Sequence, residues 1–167
     1  MIVMGIDPGT AITGFGIVDN TGNKLKAIYY GSIFTEAKTP LSKRLNTIYE
    51  SITRIIEEYK PEEIAIESLF FNNNAKTALS VGHARGVSML ACTRSGIEIA
   101  EYTPLQVKMA LTGYGRADKK QMTSMVRMLL NLNEDPKPDD TADALAIAIC
   151  HINSRKLGNN LLNGDLK

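Results

Sequence analysis

The first part of the chain places short apolar runs between turn-forming residues. Val3, Phe15 and Ile17 lie in such runs, which are broken by glycines and by the polar segment at residues 19–23. Runs of this length separated by turn residues predict two or three short antiparallel strands joined by tight turns.

The pattern changes to a helical spacing after Thr39–Pro40. A threonine followed by proline is typical of a helix cap followed by the first helical residue. Charged residues separate the apolar positions that follow, so the segment predicts an amphipathic helix ending before Pro61. The apolar positions are Leu41, Leu45, Ile48, Ile52, Ile55, Ile56 and Tyr59.

Two later apolar runs, at residues 64–66 and 97–100, predict buried strands with a helix between them at residues 75–94. Capping residues then mark further helices, because a threonine or aspartate before the first turn accepts a hydrogen bond from a free backbone N–H. Three helices are expected here: from Thr103–Pro104 to about Gly113, from Asp118 to Leu130, and from Ala142 to about Asn153.

This order of elements predicts an α/β domain built on a five-stranded mixed sheet flanked by helices. The sheet should be antiparallel at its start and parallel later. A chain of 167 residues is most simply one domain with a proper core. We place that domain at residues 1–156 and expect a frayed tail at residues 157–167.

The composition, 44% hydrophobic and 22% charged, is that of an ordinary soluble globular protein. No apolar run has the length of a membrane span, and no basic leader precedes the first strand pattern. Cys92 and Cys150 lie in helix-like apolar surroundings, which favours buried thiols in a reducing, cytoplasmic setting. With His83 and His151 they make no zinc-binding pattern.

The net charge of +1 conceals an uneven distribution. Residues 70–130 carry eight Lys or Arg against three acids, a net +5, whereas residues 131–143 carry five acids and one lysine, a net −4. A basic middle beside an acidic cluster suits an enzyme that grips a polyanion and concentrates negative charge at one point. An ordinary mixed surface is the alternative.

Four acids lie at the ends of apolar elements: Asp7, Glu67, Asp140 and Asp143. In open sheets of this kind, sites form at the carboxyl ends of strands, where Asp7 and Glu67 are expected. Each acid also has a structural interpretation: Asp7 opens a Pro8–Gly9 turn of type II with a positive φ at the glycine, Glu67 is a solvated strand end, and the last two suit a helix N-terminus.

Asp143 favours a functional interpretation of these acids over a structural one, because it lies within the apolar stretch at residues 142–147. A buried acid is costly without compensation, and no Lys or Arg lies one turn away in its helix. A metal ion is therefore the simplest partner. Carboxylates without His or Cys favour Mg²⁺ or Mn²⁺, and two such ions about 3.5–4 Å apart are a common arrangement for phosphodiester hydrolysis.

Six motifs follow one another along nearly the whole chain. They are Gly-Ile-Asp-Pro-Gly-Thr at residues 5–10, Thr-Gly-Phe-Gly at residues 13–16, Ala-Ile-Glu at residues 65–67, Gly-His-Ala-Arg-Gly at residues 82–86, Gln-Val-Lys at residues 106–108, and Asp-Thr-Ala-Asp-Ala-Leu-Ala-Ile-Ala at residues 140–148. In these motifs, their order and their spacing, the chain resembles the RuvC family of Holliday-junction resolvases.

The resemblance implies a ribonuclease H-like fold and a Mg²⁺-dependent homodimer that nicks four-way DNA junctions symmetrically beside the RuvA–RuvB branch-migration complex. It implies that the four acids bind the metal ions, with Asp140 preferred to Asp139 because it lies three residues before Asp143. It also implies DNA contacts, which we place at Phe70, Arg85, Lys108, Lys119 and Lys120, with Lys119 acting at the scissile phosphate.

The residues support these roles separately, and other interpretations stay open. Phe70 is followed by Phe71 and three asparagines, so one ring either packs in the core or engages unpaired bases. Lys119 and Lys120 follow a glycine-containing loop and either lie in solvent or reach phosphates. The rival functions are a nuclease for RNA–DNA hybrids, a junction-binding module without activity, and a nucleotide-binding fold like that of actin-like ATPases and sugar kinases.

Overall fold

The computed structural model describes residues 1–22, 24–68 and 75–163, without the side chains of residues 75–77 and 156–163. These residues form five strands and five helices. The strands are β1 (Ile2–Asp7), β2 (Ile12–Thr21), β3 (Lys24–Phe34), β4 (Glu63–Glu67) and β5 (Ile99–Tyr102); the helices are α1 (Leu41–Tyr59), α2 (Ala75–Arg94), α3 (Pro104–Thr112), α4 (Lys119–Leu129) and α5 (Asp139–Asn163).

The five strands form one mixed sheet in the order β3-β2-β1-β4-β5. The first three strands are antiparallel neighbours, whereas β4 and β5 join parallel to β1 after helical crossovers. This confirms the predicted five-stranded mixed sheet. Strands β2 and β3 have 10 and 11 residues, so they are longer than the short strands expected from the glycine-interrupted sequence.

The core consists of two apolar layers, one on each face of the sheet. Helices α1 and α2 cover one face, where Ile6, Ile52 and Ile66 belong to a single buried cluster. The other face carries helices α3, α4 and α5, with Val3 and Leu145 in the second cluster. No helix in the described segments is both long and apolar enough to cross a membrane.

Helix α5 approaches the sheet closely because glycines lie beneath it. A Cβ atom added at Gly14 would lie 1.9 Å from the Asp140 carbonyl oxygen, and one at Gly5 would lie 2.0 Å from the Ala144 carbonyl oxygen. Gly16 lies beneath Leu145 in the same way. Larger residues cannot occupy these positions without displacing the helix, so the glycines fix its distance from β1 and β2. Sequence reasoning treated them only as strand breaks.

Several predicted element ends need correction. Pro40, not Thr39, is the N-cap of α1, and no side chain caps that helix. Strand β5 begins at Ile99 because residues 96–97 still belong to the turn that closes α2, where the Ile97 amide bonds back to the Cys92 carbonyl. Helix α5 begins earlier and ends later than predicted, running from Asp139 to Asn163.

The capping residues of α3 and α4 were predicted correctly in position. Thr103 and Gln106 form a reciprocal capping box at α3, and Asp118 and Gln121 form another at α4. Each box satisfies two backbone N–H groups that a helix start leaves free. The second box fixes the start of the helix that carries Lys119.

Candidate active site

Asp7 and Glu67 lie at the carboxyl ends of two neighbouring parallel strands. Ile6 pairs with Ile66 in the register of β1 and β4, so the next residue of each strand is an acid. Side chains alternate along a strand, so Asp7 faces the same side as Gly5, which lies against α5. The two carboxylates therefore reach the sheet edge on the side covered by that helix.

Helix α5 brings the other two acids to the same edge. Its Asp140 carbonyl lies on Gly14, and Gly14 is the β2 partner of Asp7. Asp143 follows three residues later on the same side of the helix. These close backbone contacts hold the first turn of α5 near the sheet at the end of β1, independently of the acidic side chains.

The charges of these acids act on one another. The pKa of Asp7 is raised to about 8, first by burial and then by the nearby charges of Glu67, Asp143 and Asp140. Burial and the Asp143 charge also raise the pKa of Glu67. Asp139 is absent from the groups that act on Asp7, which favours Asp140 as the fourth acid of this cluster. The site holds more negative charge than its own residues neutralise.

Lys119 partly compensates this charge from a different helix. Its Nζ lies 3.2 Å from Asp143 Oδ2 and 3.2 Å from Asp139 Oδ2. Partial burial alone would lower the pKa of Lys119, but the Asp143 and Asp139 charges outweigh it and raise the pKa. Asp143 has its own pKa raised by burial, against the opposing Lys119 charge.

This contact corrects the sequence argument about Asp143. The search for a cation one turn away in its own helix missed Lys119, which comes from α4, more than twenty residues earlier in the chain. Asp143 is also not fully buried, since 41% of its side chain is exposed. Its negative charge therefore has both a cationic neighbour and access to solvent.

The residues of this edge suit a hard divalent cation, although they do not yet enclose one. Among the described residues, no three His, Cys, Asp or Glu side chains converge closely enough to hold a metal ion. The donors are nevertheless carboxylates from β1, β4 and α5. Burial first, and then the charges of the neighbouring acids, raise the pKa values of Asp7 and Glu67, and a bound cation would offset both effects. Lys119, 54% exposed, forms an ion pair of the kind that costs little to break.

A small cleft of about 110 Å³ opens beside these acids. Glu67, Asp143 and Lys108 line it together. Lys108 therefore lies at the mouth of the cleft beside the acids, and its contact with DNA stays a prediction. Lys120 lies instead on the outer side of α4, where it lines a separate cavity of about 460 Å³ with Tyr114 and Met128. Phe70 lies outside the described residues.

Arg85 is turned toward the protein rather than toward solvent. Its Nε donates a hydrogen bond of 3.1 Å to the Glu67 carbonyl oxygen, and its guanidinium forms an ion pair with Glu101. The side chain thus supports the end of β4 from behind, and its charge is partly neutralised there. Its contact with DNA remains a prediction.

The turn after Asp7 differs from the predicted type II turn. Gly9 has no positive φ; a Cβ there would lie 2.4 Å from the Ile12 carbonyl oxygen, so close backbone approach is what requires the glycine. Thr13 Oγ1 donates to the Gly9 carbonyl at 2.7 Å and tightens the same turn.

Two side chains that sequence reasoning missed hold this turn from outside. Arg44 Nη2 donates to the Thr10 carbonyl oxygen at 2.8 Å, which ties the turn to α1. Thr10 Oγ1 and Ser80 Oγ share a hydrogen bond at 2.5 Å, which ties it to α2. Their sequence positions, an arginine in an amphipathic helix and a serine in a helix of small residues, carry no signal of this role.

A sequence profile of the family described as crossover junction endodeoxyribonuclease RuvC matches residues 3–151. The chain belongs to the RuvC family. RuvC of Desulforamulus reducens is 58% identical over 151 residues, covering 90% of this chain and 93% of the relative. RuvC of Clostridioides difficile is 53% identical over 163 residues, covering 98% and 96%.

Solved structures agree with this membership. The structure of Thermus thermophilus RuvC has a TM-score of 0.86 at 35% identity, covering 95% of this chain and 97% of that one. The same RuvC in complex with a Holliday junction substrate also has a TM-score of 0.86, at 34% identity and with 95% and 96% coverage. The yeast mitochondrial Holliday junction resolvase, with a TM-score of 0.66 and 15% identity, shares the fold. The resemblance inferred from the sequence motifs is confirmed.

Proposed function

We propose that this RuvC-family chain resolves Holliday junctions by hydrolysing one phosphodiester bond in each of two symmetric strands. The observation that carries the proposal is the meeting of Asp7, Glu67, Asp140 and Asp143 at one sheet edge, with Lys119 and Lys108 beside them. RuvC of Thermus thermophilus, the structural relative, is known in complex with a Holliday junction substrate. Repair and recombination of DNA are the processes that such resolution serves.

The four carboxylates would hold Mg²⁺, two ions to each site, with Mn²⁺ as an effective substitute. Bound there, the metal supplies the Lewis acidity that activates water and stabilises the leaving oxygen. Asp7 fits the central position, because three other acids act on its charge and its strand lies in the middle of the sheet. Its raised pKa means that a proton competes with the metal for this carboxylate.

The basic residues of the site have separate tasks in this proposal. Lys108 lies at the mouth of the cleft, where it would hold the backbone phosphate next to the acids. The Lys119 ammonium would exchange its ion pairs with Asp139 and Asp143 for a contact with the scissile phosphate. There it would stabilise the negative charge that develops in the transition state. Attack of water on phosphorus breaks the bond to the 3′ oxygen, which takes up a proton and leaves a 3′-hydroxyl and a 5′-phosphate.

A two-fold dimer would supply the two equivalent sites that paired nicks require. Helix α2 offers a face for it: Leu79 and Leu90 are 65% and 52% exposed, and a Cβ at Gly86 would meet nothing within 4 Å. These three positions follow one stripe of the helix. Such a stripe allows two copies of α2 to pack closely.

We also propose that the RuvA–RuvB branch-migration complex is the partner of this chain. The free, buried thiols of Cys92 and Cys150 suit the reducing cytoplasm.

Cleavage of a synthetic four-way junction tests this function. Purified protein is incubated with the junction, plain duplex and an RNA–DNA hybrid, with Mg²⁺ and without it, beside an Asp7→Asn variant. Paired nicks at symmetric positions that need both Mg²⁺ and Asp7 support the proposal. Equal cutting of duplex or hybrid would contradict junction selectivity, and tight junction binding without nicks would indicate a binding module.

A further inference from the structure

A partly buried polar cluster lies where the first residue of β4 meets the middle of α5, away from the acidic site. His151, only 6% exposed, places its Nε2 2.6 Å from Glu63 Oε2 and its Nδ1 2.9 Å from the Tyr102 hydroxyl oxygen. We call Glu63, Tyr102 and His151 the histidine clasp. The three residues come from β4, β5 and α5, and neither the metal site nor the proposed DNA contacts include them.

The clasp joins the two elements that carry Glu67 and Asp143. Glu63 and Glu67 are the first and last residues of β4, and they face the same side of the sheet because they are four residues apart. That separation is about 13 Å along a strand. His151 follows Asp143 by eight residues, about 12 Å along a helix. The helix therefore runs antiparallel to β4, with one polar pair at each end.

Tyr102 connects the clasp directly to the catalytic end of β4. In the register of β4 and β5 it is the partner of Glu67, and its carbonyl oxygen accepts a 2.8 Å hydrogen bond from the Ser68 amide. Its hydroxyl meanwhile reaches His151. The backbone beside Glu67 and the side chain of His151 are thus joined through one tyrosine.

Between the Glu63–His151 pair and the Glu67–Asp143 pair, α5 contacts β4 through apolar residues. This contact does not itself fix the position of the helix along the strand. Ala65, Ile147 and Ala148 are buried there, and apolar contacts of this kind have no direction. Hydrogen bonds require definite distances and angles, so the clasp can fix what the apolar contact leaves free. A slip of α5 by one residue would move Asp143 by about 1.5 Å.

We propose that His151, held between Glu63 and Tyr102, is a positioning residue that sets where α5 lies along β4 and thereby places Asp143 beside Glu67. The inference rests on the proposed function, in which these two carboxylates bind the metal. The glycines beneath α5 fix its height above β1 and β2, whereas the clasp fixes its position relative to β4. Displacements of about 1 Å are enough to lower enzymatic rates about 100-fold.

Three variants remove the clasp in different ways. His151→Phe keeps the ring volume without hydrogen bonds, and Tyr102→Phe removes a single hydroxyl. Glu63→Ala removes the acceptor and, with it, the ion pair that Glu63 forms with Arg155. We expect His151→Phe and Glu63→Ala to lower single-turnover junction cleavage about 10- to 100-fold. The Mg²⁺ concentration for half-maximal cleavage should rise several-fold. Tyr102→Phe should show the same changes in weaker form.

Calorimetric titration of Mg²⁺ into the DNA-free protein gives a second readout that does not depend on cleavage. We expect the same variants to bind Mg²⁺ more weakly, while junction binding without metal is unchanged. Glu63→Gln should keep the Mg²⁺ affinity and the cleavage rate within about threefold of wild type, because the amide oxygen still accepts a hydrogen bond from the His151 Nε2–H.

Ile52→Val is the matched control, because it loosens the core on the opposite face of the sheet. It should lower the melting temperature and leave Mg²⁺ binding unchanged. The clasp proposal is overturned if folded His151→Phe protein binds Mg²⁺ as wild type does. If His151→Phe does not fold, the same result with Tyr102→Phe protein overturns it. It is also overturned if Ile52→Val weakens Mg²⁺ binding equally. If wild-type protein does not nick junctions, the proposed function is overturned. The Mg²⁺ titration then still tests the clasp, because it does not depend on cleavage.

Discussion

The Lys119 ammonium nitrogen lies 3.2 Å from a carboxylate oxygen of Asp143, an acid that we assign to the metal site. The same nitrogen also lies 3.2 Å from a carboxylate oxygen of Asp139. Both partners are partly exposed, so the ion pair is easily exchanged for another partner. In this arrangement Lys119 takes the place of a metal ion beside Asp143, and in the proposed function it moves from there to the scissile phosphate.

Replacement of Lys119 by glutamine should therefore change metal binding and catalysis in opposite directions. We expect Mg²⁺ to bind the DNA-free Lys119→Gln protein a few-fold more tightly, because a competing cation is gone. Junction cleavage at saturating Mg²⁺ should fall about 100-fold, the loss typical of one group that stabilises a transition state. Titration calorimetry and single-turnover cleavage measure the two effects.

Lys137→Gln is the control for this experiment. It also removes one lysine, but Lys137 is not among the charges that shift the pKa values of Asp7, Glu67 and Asp143. It should leave both quantities near wild type. Weaker Mg²⁺ binding by Lys119→Gln would contradict the competition between ammonium and metal.

Asp7 should make metal-free protein less stable as the pH rises. Its pKa is raised from 3.8 to about 8, so between these values the folded state holds a proton that the unfolded chain has lost. The free energy of unfolding then falls as the pH increases through this range, by up to about 6 kcal/mol at about 1.4 kcal/mol for each pKa unit. The fall begins near the unfolded pKa of 3.8 and ends above the folded pKa of about 8.

Denaturant unfolding in a metal chelator, at several pH values between 5 and 9, measures this dependence. Asp7→Asn should be more stable than wild type at pH 8 and should lose less stability as the pH rises. Added Mg²⁺ should stabilise wild type and not the variant. Equal pH dependence in the two proteins would show that Asp7 is not the group responsible.

Local signals in the sequence were enough to predict the elements and the acids, but not their contacts. The acids at the ends of β1 and β4 could be located because a carboxylate that closes an apolar strand is a local pattern. The partner of Asp143 was missed because Lys119 belongs to another helix, and pairing across the fold leaves no local signature. The glycines under α5 were misread for the same reason, since what requires Gly14 is a carbonyl more than a hundred residues later.

The glycine beneath Asp140 provides a direct test of this helix placement. A Cβ at position 14 would lie 1.9 Å from the Asp140 carbonyl oxygen, so Gly14→Ala must push the first turn of α5 away from β2. We expect a loss of about 1–3 kcal/mol in stability from overpacking and a larger proportional loss in cleavage. Denaturant unfolding and junction cleavage measure both.

Gly31→Ala is the comparison, because it is also a strand glycine but a Cβ there would meet only the Phe15 ring, at 3.3 Å. A ring can move by the few tenths of an ångström that are needed. Gly31→Ala should therefore keep cleavage near wild type. Full activity in Gly14→Ala would contradict the close backbone contact between α5 and β2.

The exposed stripe of α2 should control the oligomeric state. Leu90→Glu places a charge within the proposed dimer contact, where its desolvation would be costly. We expect the variant to sediment as a monomer at concentrations where wild type is a dimer, with an unchanged circular dichroism spectrum. On a four-way junction it should produce single nicks in place of paired ones, because each monomer carries one site. Leu105→Glu, equally exposed but on α3, should remain dimeric and make paired nicks. If Leu90→Glu stays dimeric, two copies of this chain associate through a face other than α2.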